Sequence, residues 1–401
     1  MVAATTRTIV LSGYYGFRNS GDEAVLKSIL LALEEEGLTS GIDIKPVVLS
    51  NDPEWTRRTY GVEAVHRMKF SEVRKAIKSS DGLISGGGSL LQDATGVMTI
   101  PYYLGFIKLA QWMSKPTFVY AQGIGPVKRK FFRPLIAAVF RRCDYISVRD
   151  AESAALLRSM GLRGGDVEVV PDPVMALTLP EGGSSADSPV ERVSPEHESI
   201  SIATSGQTEG SSPDSGSPLP VVGVSVRFWN RQRTELTQLA EGLSLLCRRK
   251  SVHIRFLPFH FPGDDEASRF VMDRLGNVAE RGCAVSIAPE TEHPQDMLRE
   301  VSECSLLIGM RLHSLIYAAS QNVPLLGVSY DPKIDQFLGR IGSVPIGTAE
   351  ELDPRILAAE GERLLQEGDV WRKTRTSQIA GLKREARVPA RRIVEFLRSK
   401  G

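Results

Sequence analysis

The chain has 401 residues, of which 42% are hydrophobic and 24% charged, and its formal net charge is +1. That suits a soluble globular protein of two domains of ~150 residues each, without the global positive charge that draws a protein to nucleic acid. Four scattered cysteines (Cys143, Cys247, Cys283, Cys304) show neither metal spacing nor a disulfide framework, and no window reaches the ~20 apolar residues of a membrane span.

In chain order, "RTIVLSG" (7–13) reads as a buried strand. It feeds a helix with Val25, Leu26, Ile29, Leu30 and Leu33 at helical spacing, acids in its first turn and Gly37 as its stop. Strands are predicted at 42–50, 81–88, 115–126, 143–150 and 167–173, with helices near 71–79 and from residue 151. The stretch 179–220 then turns rich in Ser, Pro, Gly and Glu and reads as a flexible linker or insertion. Alternation resumes with strands at 221–229, 253–260, 284–289, 305–310 and 324–330. Helices are predicted at 234–249, 264–277, 294–303 and 312–320. The expected fold is α/β, with two Rossmann-like doubly wound domains (1–178 and 221–370) facing a cleft, followed by a basic helical tail at 371–401. The opening "MVAATTRTIVLSGYYG" has no basic region before a long apolar stretch, so the expectation is a cytoplasmic protein, peripheral at the inner face of the membrane at most.

Chemistry-bearing residues cluster where strands meet helices. In "SGYYGFRNSGDEA" (12–24), glycines permit close backbone approach, and the free N–H groups of the helix start favour an anion or a sugar oxygen. Tyr15 and Phe17 either offer aromatic faces to a sugar or pack on the domain edge, with Asn19 and Asp22 nearby. "SGGGSLLQD" (85–93) repeats the glycine theme and adds Ser89, Gln92 and Asp93 as hydrogen-bonding groups. Arg149 in "SVRD" either pairs with Asp150 or Glu152 or grips a phosphate or carboxylate through its fork. Arg311 and His313 in "GMRLHS" sit at another strand end, which suits anion binding with proton transfer, although a lone helical histidine is often structural. Lys333 follows at the next such joint. Together these favour a small anionic substrate. The tail carries ten Lys or Arg against two Glu over residues 371–400, with an apolar stripe of Ile393, Val394, Phe396 and Leu397. It either docks across the domains or meets anionic lipid headgroups.

The blocks "LSGYYGFRNSGDEAVLKSIL", "ISGGGSLLQDATG", "YYLGFIKLAQ", "YAQGIGPV", "ISVRD", "PDPV" and "GMRLHSLIYAASQNVPLLGVSYDPKI" resemble, in order and spacing, the polysaccharide pyruvyl transferases of the CsaB-type branch. The resemblance spans about 8–176 and 221–340; the long Ser/Pro linker is unusual for the family. It implies a glycosyltransferase-B-like architecture, phosphoenolpyruvate as donor and no cofactor. It also implies an acceptor sugar, N-acetylmannosamine on a lipid-diphosphate-linked cell wall precursor, whose 4- and 6-hydroxyls become bridged as a pyruvate ketal. The family's functional positions fall on Tyr15, Phe17, Arg149, His313 and Lys333. On this basis His313 is expected as the general acid/base and Arg149 with Lys333 as the donor's cations. Arg311 is expected as helper or support, Tyr15 and Phe17 as the donor pocket, and Asn19 and Asp22 near the acceptor. No metal is expected. Two rival readings are a nucleotide-sugar glycosyltransferase on the same fold and a non-catalytic binder of anionic glycolipid.

Overall fold

The computed structural model describes residues 5–93, 96–180 and 218–400. The expected linker, 179–220, lies outside these residues except at its ends. Seven parallel strands form the first sheet: β1 (Thr5–Ser12), β2 (Ile42–Ser50), β3 (Glu63–His66), β4 (Gly82–Gly86), β5 (Thr117–Gln122), β6 (Tyr145–Val148) and β7 (Glu168–Val169), in the order β3-β2-β1-β4-β5-β6-β7. Six more form the second: β8 (Val221–Ser225), β9 (His253–Phe256), β10 (Ala284–Ile287), β11 (Leu306–Gly309), β12 (Leu325–Ser329) and β13 (Gly347–Thr348), in the order β10-β9-β8-β11-β12-β13. Strands such as β4 and β5 are buried along their whole length, as a parallel sheet covered on both faces requires. In each sheet the order reverses beside the first strand, between β1 and β4 and between β8 and β11. Such folds leave a crevice there, at the carboxyl ends of the strands.

The first domain carries α1 (Ser20–Ser40), α2 (Pro53–Tyr60), α3 (Phe70–Ser79), α4 (Thr99–Trp112), α5 (Phe132–Phe140) and α6 (Ala151–Ser159). The second carries α7 (Thr234–Arg249), α8 (Gly263–Met272), α9 (Pro294–Ser302), α10 (Leu312–Ser320), α11 (Pro332–Arg340) and α12 (Pro354–Gln366). Two C-terminal helices follow, α13 (Gly368–Ala386) and α14 (Val388–Ser399). Asn19 caps α1, and the helix ends at Gly41, whose φ of 72° suits only a residue without a Cβ, rather than at Gly37. Gly37 is a packing glycine inside the helix: a Cβ there would stand 2.8 Å from the Ile42 carbonyl oxygen.

Two apolar layers sandwich the first sheet. One contains α3, α4, α5 and α6. The other contains α1 and merges with the core of the second domain. The chain's last helix belongs to this second layer, because α14 returns to pack on α1, β5 and β6. Ile393, Val394 and Leu397 of the tail are buried there, Phe396 meets Phe118 edge-on at 5.3 Å, and Arg387 and Arg391 pair with Glu35 and Glu36. The apolar stripe is thereby spent on the first domain, which leaves the tail only its charges to offer a lipid surface. No helix among the described residues is long and apolar enough to cross a membrane.

Candidate active site

Five strand-to-helix joints, three from the first domain and two from the second, meet in the cleft. The β1–α1 loop is held by Glu23. Its buried carboxylate accepts N–H bonds from Gly16, Phe17 and Arg18 (2.9, 3.2 and 3.3 Å) through one oxygen and the Tyr60 hydroxyl (2.9 Å) through the other. Burial raises the Glu23 carboxyl to about 7 despite these bonds. This anchoring fixes Tyr14 and Phe17 as a stacked pair, with centroids 3.9 Å apart and planes 4° from parallel. The Arg67 guanidinium lies over Phe17, Tyr102 and Tyr103 and donates to both tyrosine hydroxyls (2.8 and 3.2 Å). These groups line a cavity of about 700 Å³ that Asp22, Arg149 and His313 also reach.

The β4–α4 joint contributes Gly87 and Gly88, with φ of 28° and 72°, which bring the backbone close to α1. A Cβ on Gly88 would stand 3.1 Å from Asp22 Oδ1. Ser89 follows, and its hydroxyl is the meeting point of the domains. Arg149, at the end of β6, donates to it at 2.8 Å, and Lys333, in the first turn of α11, donates at 3.1 Å. Arg149 also donates to Asp172 at 3.0 Å. Burial, with the Arg149 charge beside it, lowers the Lys333 ammonium below its ordinary value.

His313, near the start of α10, points at the N-terminus of α1. A Cβ on Gly21 would stand 2.2 Å from His313 Nδ1, so that glycine is what lets the second domain's imidazole approach. His313 Nε2 is 3.8 Å from Asp172 Oδ2 and has no hydrogen-bond partner among the described residues. Burial lowers its pKa, and the Arg149 and Arg311 charges add to this against the opposing pull of Asp172. Asp22 shifts the other way: burial and neighbouring Glu23 raise its carboxyl to about 7. A second cavity of about 180 Å³ is lined by Asn19, Asp22, Arg149, Arg311, His313 and Lys333, among others.

The structure thus brings together Phe17, Asn19, Asp22, Arg149, Arg311, His313 and Lys333. Tyr15 is a correction: it is 1% exposed, in the core beneath the loop, with Gly13 against its ring and Gly86 against its hydroxyl. Its neighbour Tyr14, 39% exposed, is the tyrosine that faces the cavity, since successive side chains of the loop point opposite ways. Arg311 forms a bidentate ion pair with Asp264, which also accepts N–H bonds from Phe259 and His260, so its charge is largely committed. Asn19 spends its Oδ1 capping α1. Gln92 lines the larger cavity, whereas Asp93 is turned inward to accept the Lys128 and Arg129 N–H groups. Arg149 pairs with Asp172 at 3.0 Å, a partner the sequence reading did not name, with Asp150 at 3.9 Å and no pair to Glu152 among the described residues, and it faces both cavities. Sequence reasoning passed over Arg67 and Asp172. "PDPV" stood among the family blocks, and its aspartate was the signal that could have found Asp172.

Arrays of known structures share this architecture. A putative UDP-N-acetylglucosamine 2-epimerase from Listeria monocytogenes superposes with a TM-score of 0.63 at 12% identity, covering 99% of this chain and 97% of that one. A glycosyltransferase from Rickettsia africae gives 0.60 at 10%, covering 98% of each chain. The UDP-GlcNAc 2-epimerase of Neisseria meningitidis bound to UDP-GlcNAc gives 0.58 at 10%, covering 99% of this chain and 100% of that one. These likenesses establish the two-domain, glycosyltransferase-B-like fold. No curated protein matches the sequence. The family description "Polysaccharide pyruvyl transferase" matches residues 19–332, well over half the chain and inclusive of Asn19, Asp22, Arg149, Arg311 and His313, and the protein belongs to that family.

Proposed function

We propose that the protein transfers the enolpyruvyl group of phosphoenolpyruvate to a saccharide and closes it as a pyruvate ketal with release of phosphate. In this reading it acts as a CsaB-type enzyme on the 4- and 6-hydroxyls of N-acetylmannosamine in a lipid-diphosphate-linked precursor. The observation that carries the reading is the convergence of Arg149 and Lys333, from different domains, on the Ser89 hydroxyl. Asp172 offsets the charge of Arg149, but the Lys333 ammonium is met there only by a neutral oxygen. A donor bearing both a phosphate and a carboxylate matches the two side chains.

His313 gives a proton to the methylene carbon of the donor, and the central carbon becomes electrophilic as the double bond is consumed. The anionic donor raises the imidazole from its lowered value and so favours the protonated form needed for this step. The first sugar hydroxyl adds to that carbon and surrenders its proton to Asp22. The second hydroxyl then displaces phosphate and completes the ketal. Of the two hydroxyl protons, one balances the new methyl group and the other leaves with phosphate. Tyr14 and Phe17 supply an apolar wall against which the sugar ring can stack and be positioned for addition. In this scheme Arg149 and Lys333 meet the donor's charge without a divalent ion. A chelator should leave the rate unchanged, whereas inhibition reversed by one divalent ion would count against it.

The test is phosphate release from phosphoenolpyruvate with and without an N-acetylmannosaminyl lipid-diphosphate analogue, for wild type and His313→Ala. Acceptor-dependent release that His313→Ala abolishes is the expected result. Consumption of a nucleotide sugar with no use of phosphoenolpyruvate would replace this reading with the glycosyltransferase one.

A further inference from the structure

The charge of the chain is balanced overall but not locally. Between residues 67 and 142 there are thirteen Lys or Arg and three Asp or Glu. This stretch builds α3, α4 and α5, which lie side by side on one face of the first sheet. Because each follows a strand of a parallel sheet, all three helices begin at the carboxyl ends of the strands, on the rim of the cleft.

That rim is studded with large apolar side chains in solvent. Met68 and Phe70 stand at the start of α3, 68% and 64% exposed. Met98 stands at the start of α4, 71% exposed, and Phe131 and Leu135 at the start of α5, 64% and 44% exposed. Lys69, Lys128 and Lys130 are exposed between them. Of the acids in the stretch, Asp93 is turned inward onto backbone N–H groups, Glu72 pairs with Lys69, and Asp81 pairs with Arg7. Lys128 and Lys130 make no ion pair among the described residues. Scattered apolar residues are ordinary on a surface, but tips gathered on one edge and ringed by cations are not. Met68 and Met98 also line the 700 Å³ cavity, so the edge is continuous with the cleft.

We infer that this rim, formed by the starts of α3, α4 and α5, docks on an anionic lipid bilayer, with Phe70 and Phe131 entering the headgroup layer and Lys128 and Lys130 held over its negative charge. The aromatic tips favour a bilayer over nucleic acid, since neither ring is paired with a groove or cleft that would receive a base. The mouth of the cleft then faces the membrane, where a lipid-linked saccharide presents its sugar. The surface is distinct from the C-terminal tail, whose apolar stripe is already covered.

The full-length protein is tested by sedimentation with vesicles of phosphatidylcholine alone and of phosphatidylcholine with about a third phosphatidylglycerol. Wild type should bind only the anionic vesicles, and binding should weaken as salt rises. Lys128→Glu with Lys130→Glu should lower the partition coefficient by more than about tenfold, at roughly a factor of five per basic residue removed. Phe70→Ser with Phe131→Ser should do the same through lost insertion. Trp112→Ser, at the far end of α4 and 72% exposed, is the control and should bind as wild type does. Phosphate release with a water-soluble acceptor should be unchanged in all three variants, which reports folding and the transfer reaction separately from docking. Equal binding by wild type and both rim variants, equal loss with Trp112→Ser, or displacement by single-stranded RNA in place of lipid would each overturn the inference. Vesicle binding is read without turnover, so failure of the proposed chemistry leaves this result standing, and the reverse also holds.

Discussion

The two domains repeat one device and use it differently. After the first strand of each, an acidic residue in the first turn of the following helix reaches back to hold the loop. Glu23 accepts the N–H groups of residues 16–18, and Glu235 those of Trp229 and Asn230 at 3.2 Å each. The first loop carries Tyr14 stacked on Phe17, with Arg67 over Phe17; the second carries Arg227 and Trp229, which meet Tyr330 from the joint after β12. The first cluster lines the large cavity, while Trp229 is 47% exposed and lines neither cleft cavity. In the first domain the loop lines the candidate site; in the second, it is the joints that follow β11 and β12 that do so. The lesson is that an anchored loop is a structural unit of this fold, and that position relative to the facing domain decides whether it does chemistry.

The largest effect expected is from His313→Ala, which should lower turnover by about 10² to 10⁴-fold with folding intact. Near-normal turnover would leave the second domain with no chemical role and break the comparison. Gly21→Ala tests the same contact from the other side. Its methyl group would occupy the space of the imidazole, and a displacement of about 1 Å should cost on the order of 10²-fold in kcat. Next comes the paired substitution of the anchors. Glu23→Ala orphans three N–H groups, and at ~1–3 kcal/mol for a buried unsatisfied group it should both lower Tm and cut kcat/KM by about tenfold or more. Glu235→Ala should lower Tm but keep kcat/KM within about threefold; equal losses of activity would mean that both loops touch substrate.

The pH dependence sharpens the first domain's part. If Asp22 is the base, kcat/KM should fall as pH drops below about 7, where its carboxyl takes up a proton. Its folded value lies above the ordinary unfolded value near 4, so the folded state binds the extra proton between the two. Stability from this group is therefore full below about pH 4 and lost as pH rises through 7. Asp22→Asn should accordingly melt a few degrees above wild type at pH 8, with the difference vanishing toward pH 4, by differential scanning calorimetry. A lower melting temperature at pH 8 would show that the ionised carboxylate is stabilised in place. The smallest effect is expected from Trp229→Ala, within about threefold in kcat/KM for a short soluble acceptor.

Most strands and the paired domains were legible because buried parallel strands write themselves as apolar runs bounded by glycine or charge. Short elements were not: β3 has four residues, and α2, "PEWTRRTY", buries only Trp55 and Thr56. In α4, "TIPYYLGFIKLAQW", apolar residues crowd nearly every face, so periodicity has little to report. The cations that meet in the cleft were legible as candidates, because charge at the end of an apolar strand needs a reason. Which of two adjacent tyrosines faces the ligand was not, since that depends on how Glu23 holds the loop. The partner of Arg311 was equally hidden, being an aspartate 47 residues away on α8.

The Ser89 hydroxyl that receives both Arg149 and Lys333 has a kinetic corollary. Asp172 balances Arg149, but the Lys333 ammonium has only that neutral oxygen and faces the guanidinium across it, so one positive charge in the cleft is left for an anion to meet. The donor therefore relieves this repulsion and the neutral sugar does not. Addition should be ordered, phosphoenolpyruvate before saccharide, with inorganic phosphate competing against the donor alone in product-inhibition plots. Random addition would mean that the serine screens the pair well enough by itself.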